Sequence, residues 1–232
     1  MSARVHRNRY FAVLKTITLA WFAIGTAATV AAPKSPRVQT GPDAEVTYDG
    51  LHRVDRSVMD MAWVKPDLDL TGYTKLMLAS GGISYREVDG PVNRRTDTEF
   101  PISDEAKERF QQIVREEFIE ELEQLHRYEI TDQPGRDVLV LVGAIIDVVS
   151  RVPPEPVGRS SIYLSAAGDA TMVLELRDSM SNEVLARGAD RRAAEATFPG
   201  PANSVTVWSD VRRLAKTWAR LLRTRLEELT AV

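Results

Sequence analysis

The chain has 232 residues, with 30 lysines and arginines against 33 aspartates and glutamates, and a formal net charge of −3 at neutral pH. It contains no cysteine, which excludes disulfides, thiolate catalysis and cysteine-ligated zinc. The acidic balance argues against broad nucleic-acid binding, because that binding needs cations that neutralise phosphates. The length suits one domain of ordinary size whose core is held by burial alone.

Residues 1–32 have the composition of a secretory signal peptide. An apolar run over residues 16–30 ends in small residues before Pro33. The segment has no acidic residue and begins with four cations, Arg4, Arg7, Arg9 and Lys15. This order is typical of an export signal, and the run is shorter than the ~20 apolar residues that span a bilayer. We expect a periplasmic or secreted protein, exported through the general secretory route. A retained membrane anchor is the weaker alternative.

The chain that follows divides into a spacer and a folded region. Residues 33–50 hold three prolines and two glycines, which predicts a flexible spacer. Residues 51–232 are expected to form a single α+β envelope domain. Without residues 1–32, the chain has 26 Lys and Arg against 33 Asp and Glu, a net charge of −7. A strand is predicted over residues 73–79, followed by a long loop over residues 81–101.

Along the chain, a set of strands is predicted between two helices. Ser103 can cap the first helix, whose apolar residues recur at three- and four-residue spacing. The apolar run over residues 138–149 predicts a central strand that is covered, at least in part, on both faces. Residues 171–177 and 184–194 predict paired strands, and Trp218 lies on the buried face of the last helix. The expected fold class is α+β, a mainly antiparallel sheet of about four to five strands with two helices packed on one face.

The last helix carries a row of cations on an otherwise acidic protein. The residues on one side of it are Arg212, Lys216, Arg220 and Arg223. One interpretation is a face for an anionic partner, such as a lipid headgroup, a cell-wall polymer or an acidic protein. The other interpretation is a solvated face, which the acidic side of the first helix neutralises.

No arrangement of residues predicts catalysis, a cofactor or a metal ion. Asp147 lies inside the most apolar strand, where burial would raise its pKa and suit it to proton transfer. The alternative is a paired or hydrated carboxylate near the strand end, since no histidine or second carboxylate lies near it in the sequence. Glu175 and Arg187 are expected to form a cross-strand ion pair.

Four segments resemble an uncharacterised proteobacterial family, domain of unknown function 3313. They are TGYTKLML (71–78), PGRDVLVL (134–141), AGDATMVLELRDSMSNEVLARGADRR (167–192) and NSVTVWSDVRRLAKTWARLLRTRLEEL (203–229). The resemblance implies an envelope protein, because the members are mostly predicted envelope lipoproteins, and it implies no catalytic residues. Where those lipoproteins carry a lipid-modified cysteine, this chain has Ala31, Ala32 and Pro33. We therefore expect no lipid anchor.

Together these observations favour a non-catalytic, exported domain that acts as a partner-binding or assembly module of the cell envelope. The alternative is a carrier or binder of a small apolar or anionic envelope ligand, and a hydrolase comes third. The expected partners are an envelope protein or an anionic envelope component, with peripheral membrane contact as a further option and no nucleic acid. The oligomeric state is left open. A sizeable apolar pocket would favour the ligand binder, and an exposed apolar patch or sheet edge would favour the partner module.

Overall fold

The computed structural model describes residues 35–88, 98–153, 163–197 and 203–228. These residues form two helices, α1 (Asp104–Leu122) and α2 (Ser204–Glu228). They also form eight strands: β1 (Arg37–Val38), β2 (His52–Asp55), β3 (Met61–Val64), β4 (Lys75–Tyr85), β5 (Glu129–Ile130), β6 (Val138–Ser150), β7 (Ala166–Asp178) and β8 (Val184–Glu195).

The strands form one mixed sheet in the order β1-β2-β3-β8-β7-β6-β4-β5. Neighbours from β1 through to β6 are antiparallel, whereas β4 runs parallel to both β6 and β5. The prediction of a mainly antiparallel sheet of four to five strands is therefore wrong in strand number and in direction. The physical reason for the parallel pair is that α1 connects β4 to β6, and a crossover of that length returns the chain in the same direction.

Strand β4 continues well beyond its predicted end. It was expected to stop at residue 79 and to be followed by a loop, but it runs on to Tyr85. Two irregularities interrupt its pairing with β6, and Gly82 adopts a φ of +87° at the first of them. Glycine accommodates that backbone conformation without steric cost. The predicted loop therefore begins too early, and residues 89–97 of it lie outside the described residues.

The core lies between the sheet and the two helices. Alternate residues of β6 and β7 face the helices and are buried, among them Leu139, Leu141, Met172 and Leu174. The helices contribute a matching set of buried side chains: Phe110, Ile113 and Leu122 from α1, and Leu214, Trp218, Leu222 and Leu226 from α2. Burial of these apolar surfaces is the main force that holds the helices to the sheet.

The described residues belong to one compact unit, residues Ser35–Val232. The predicted signal peptide over residues 1–32 lies outside the described residues. Within the range that was expected to be a spacer, β1 pairs with β2, and the Gln39 backbone N–H donates to the Arg53 carbonyl at 2.8 Å. This part of the range therefore contributes to the sheet. Neither described helix is long and apolar enough to cross a membrane.

Candidate functional site

An apolar cavity, here called the end cavity, opens where the N-terminal ends of α1 and α2 meet one end of the sheet. Its volume is about 660 Å³, within the range of small-molecule sites in proteins. Among the described residues, three aromatic side chains line it: Tyr85 from β4, Phe110 from α1 and Trp208 from α2. The remaining wall is largely aliphatic and includes Ile102, Ala106, Val148, Ala167, Ala170, Val207, Val211 and Leu214.

Capping residues fix the two helix ends beside the end cavity. The Ser103 hydroxyl accepts a hydrogen bond from the Ala106 backbone N–H at 3.2 Å. The Asn203 side-chain oxygen accepts from the N–H groups of Val205 and Thr206 at 2.9 and 3.0 Å. Such caps satisfy donors that the first helical turn would otherwise leave unpaired. They also define where the cavity-lining residues of each first turn project.

Most polar side chains in the cavity wall already have partners within the protein. Ser103, Ser150 and Asn203 each accept a hydrogen bond from a backbone N–H, and the Tyr85 hydroxyl donates to the Lys107 carbonyl. The wall also includes Ser204. The carboxylate belongs to Asp169, which is 9% exposed and bonded to arginines. The surface left for a ligand is therefore mainly apolar.

A network of ion pairs, here called the arginine network, supports the wall behind Asp169. Its members alternate in charge and come from four strands and their adjoining loops: Glu99, Arg86, Asp147, Arg191, Asp169 and Arg151. Arg151 Nη2 lies 2.7 Å from Asp169 Oδ2, while Arg191 pairs with both Asp169 and Asp147. These contacts tie β6, β7 and β8 together beside the cavity.

Asp147 sits at a bulge of β6, where its backbone takes a φ of 55°. Its carboxylate accepts hydrogen bonds from Arg86 at 2.5 and 2.7 Å and from Arg191 at 2.7 Å. The Arg86 guanidinium, followed by that of Arg191, lowers the pKa of Asp147 to about 2. Asp147 is therefore ionised at neutral pH, and the structure supports the interpretation of a paired carboxylate near the strand end over that of an acid or base.

The four cations predicted as an anionic-partner face do lie together along α2, and each of them contacts a carboxylate of α1. Arg212 lies 2.7 Å from Glu117 and 3.1 Å from Glu116, and Lys216 lies 3.0 Å from Glu120. Arg220 and Arg223 pair with Glu121 at 3.5 and 3.0 Å.

The carboxylates of Glu117 and Glu121 are only 3% exposed, so these pairs join the two helices. The hydrogen bond to Glu120 raises the pKa of Lys216, and those to Glu117 and Glu116 raise the pKa of Arg212. The geometry favours the interpretation that the acidic side of α1 neutralises the cations of α2. Binding of an anionic partner at these cations stays a prediction.

The expected cross-strand pair is confirmed, since Arg187 Nε lies 2.7 Å from Glu175 Oε1. Arg187 also reaches Asp49 at 2.9 Å, in the turn before β2. Within the described residues no group of three or more histidine, aspartate or glutamate side chains is placed to hold a metal ion.

Sequence reasoning missed the end cavity. Val207 and Trp208 carry the apolar signal of any core-facing helical residue, and Pro101 lies at the end of the predicted loop. Nothing in the sequence distinguishes a side chain that lines a cavity from one that packs against its neighbours, so the signal for this site exists only in three dimensions.

The family described as "Protein of unknown function (DUF3313)" matches residues 43–222 of the chain, and the family resemblance of the sequence is thereby confirmed. None of the curated proteins compared with the chain matches it.

Three solved structures are similar to parts of the chain. The PelC dodecamer from Paraburkholderia phytofirmans is 14% identical, covers 70% of this chain and 94% of its own, and has a TM-score of 0.34. A protein of family DUF330 from Xanthomonas campestris is 14% identical over 69% of this chain and 86% of its own, with a TM-score of 0.39. A putative neuraminyllactose-binding hemagglutinin homolog from Helicobacter pylori is 10% identical over 68% and 91%, with a TM-score of 0.36.

Proposed function

Since the chain belongs to the family described as protein of unknown function DUF3313, we propose its function from its own geometry: it is a non-catalytic binding protein that holds a small apolar ligand in the end cavity. The observation that carries this proposal is the cavity of about 660 Å³ with its aromatic and aliphatic wall. It favours the ligand-binding alternative of the sequence analysis over a module that binds only proteins.

The chemistry of the wall supports an apolar ligand rather than an anion. The capping side chains Ser103 and Asn203 already accept backbone N–H groups, and both oxygens of Asp169 accept from arginines. A ligand therefore gains free energy chiefly by removing apolar surface from water, at about 25 cal/mol per Å² before the cost of association.

The same geometry supports binding without catalysis. A hydrolase would be favoured by two carboxylates that converge in a cleft. The wall carboxylate, Asp169, is held by Arg151 and Arg191, while Asp147 is held by Arg86 and Arg191. Each carboxylate is thus committed to the arginine network, where it contributes to structure.

We further propose that the protein works outside the cytoplasm, because residues 1–32 have the order of an export signal. Cleavage is expected after Ala31 or Ala32, which places a small residue, Thr29 or Val30, at the third position back. Amino-terminal sequencing of the protein recovered from the envelope measures this. A mature pool that retains Met1 would contradict cleavage and indicate a membrane anchor.

A fluorescent probe tests the end cavity directly. N-phenyl-1-naphthylamine is neutral and apolar, and its emission rises when it leaves water. We expect saturable enhancement with the native protein. Val207→Phe fills part of the cavity and should weaken binding by about tenfold or more, which corresponds to ~1.4 kcal/mol. The matched control is Val205→Phe, on the same helix at a residue that is 75% exposed and lies outside the cavity wall.

Two results would overturn the proposal. One is the absence of saturable binding by the native protein. The other is equal affinity of the Val207→Phe and Val205→Phe proteins, once circular dichroism shows that both are folded.

A further inference from the structure

The face of the sheet opposite to the helices, here called the bare face, carries a continuous band of small and apolar residues. The strand register places one row of them side by side across five strands: Gly82, Ala144, Val173, Ala189 and Met61. A neighbouring row on the same face begins with Ala79 and Val142 and continues with Glu175 and Arg187, so it is apolar on β4 and β6 only. Most side chains of the band are short, since they belong to glycine, alanine and valine.

Strand β6 shows how unequally the two faces of the sheet are covered. Leu139, Leu141 and Ile145 point towards the helices and are at most 5% exposed. On the bare face, Val140, Val142 and Ala144 are only partly buried, and Ile146 is 40% exposed. A sheet face that is left to water normally carries polar residues. The apolar residues on both faces of β6 therefore predict that each face packs against another layer. In the described part of the chain, the helices cover one of the two faces.

Ion pairs border the band on both sides. At one border Glu175 pairs with Arg177 and Arg187, and Arg187 pairs with Asp49. At the other border lies the arginine network, with three acids and three arginines. Each border thus contains as many acids as arginines. A surface without net charge offers no long-range attraction to a highly charged partner.

We propose that the bare face packs against the bare face of a second copy of this chain, so that two sheets form a sandwich around a two-fold axis. Small side chains permit the close approach of two sheets, whose usual separation is ~10 Å. A two-fold interface requires a surface that is complementary to itself. The neutral, mixed-sign borders meet this requirement, because an identical copy can approach without like-charge repulsion. This inference is independent of the end cavity and its ligand.

Sedimentation equilibrium of the purified native protein tests the proposal. We expect a reversible dimer, and Ile146→Lys should raise its dissociation constant by at least about tenfold, because it places an ammonium group on the bare face directly beside the apolar band. The matched control is Ile119→Lys, since Ile119 is 48% exposed but lies on α1. That variant should dimerise like the native protein.

Thiol labelling provides a second readout that does not depend on a charged substitution. The native chain has no cysteine, so Val173→Cys and Ile119→Cys each introduce a single thiol. Labelling of the thiol at residue 173 should accelerate on dilution as dimers dissociate, whereas labelling at residue 119 should not change with concentration.

A native protein that is monomeric at all concentrations overturns the proposal. So does a dimer that Ile146→Lys leaves intact, or one that Ile119→Lys dissociates, because the last result would place the interface on the helical side of the sheet.

Discussion

Trp218 is the residue that should respond most strongly to substitution, because it fixes α2 to the sheet in two ways. Its ring is 1% exposed, which confirms the sequence-based prediction that it belongs to the core. Its indole Nε1 donates a hydrogen bond to Asp190 Oδ2 at 2.9 Å, and Asp190 on β8 is itself only 2% exposed. The contact therefore combines ring burial with the satisfaction of a buried carboxylate.

Two substitutions separate these contributions. Trp218→Ala removes the ring and should lower the free energy of unfolding by ~3–5 kcal/mol, the usual cost of truncating a buried aromatic residue. Trp218→Phe keeps most of the apolar volume but removes the indole donor. Asp190 then retains its contact with Arg192, and we expect a loss of ~1.5–3 kcal/mol, the usual contribution of a hydrogen bond to a charged group.

Urea unfolding followed by far-ultraviolet circular dichroism measures both losses. Combining Trp218→Phe with Asp190→Asn gives a double-mutant cycle whose coupling energy isolates the indole–carboxylate contact. The matched control is Trp63→Phe, because Trp63 on β3 is only partly buried. If Trp218→Phe costs no more than Trp63→Phe, or if Trp218→Ala costs less than about 1 kcal/mol, the account of how α2 is fixed is wrong.

Three further substitutions test other parts of the structure. The pKa of Asp147 is lowered to about 2, so the ionised carboxylate contributes fully to the free energy of unfolding above its ordinary pKa of 3.8, and this contribution is lost as the pH falls through 2. Asp147→Asn should therefore flatten the pH dependence of the urea midpoint between pH 4 and pH 2. A Cβ on Gly81 would lie 2.9 Å from that of Ala144, so Gly81→Ala should cost ~1–3 kcal/mol in urea unfolding, and a neutral result would contradict this close approach. Arg212→Glu should cost ~1–3 kcal/mol because it faces the buried Glu117, and adding Glu117→Lys should restore stability; absence of rescue would contradict the ion pair.

Local patterns predicted the long elements and missed the three short strands β1, β2 and β3. Strands β6, β7 and β8 have 12 or 13 residues each, and most of their length could be predicted, over residues 138–149, 171–177 and 184–194. By contrast, β2 and β3 have four residues each, too few to show a period. Their strand conformation is imposed by pairing with distant strands, as when β3 pairs with β8 more than a hundred residues away.

The direction of β4 could not be derived from its own residues. The side chains of a strand alternate between the two faces of the sheet whether its neighbour is parallel or antiparallel. The relative direction of two strands therefore depends on the connection between them. Here α1 lies between β4 and β6 and returns the chain to the same end of the sheet. The wrong prediction came from treating α1 only as a layer on the sheet, when it is also the crossover that makes the pair parallel.

The charges of α2 illustrate a similar gap between a local pattern and its environment. Helical periodicity correctly places Arg212, Lys216, Arg220 and Arg223 in one row, and an acidic row on α1 is equally visible in the sequence. Periodicity does not give the rotation of one helix relative to the other. That rotation decides whether the cations of α2 face the acids of α1. In the structure they do, and carboxylates as buried as Glu117 and Glu121 are stable there because cations reach them from the facing helix.

The apolar pattern of β6 carries more information than a strand assignment. It predicts that both faces of the strand are covered, at least in part, but it does not specify which part of which chain covers each face. The helices cover one face and leave an opening at their N-terminal ends, the end cavity; the other face retains partly exposed residues such as Val142 and Ile146. The sequence of β6 is apolar on both faces, whereas the described chain covers only one face fully. This difference is itself a reason to look for a partner.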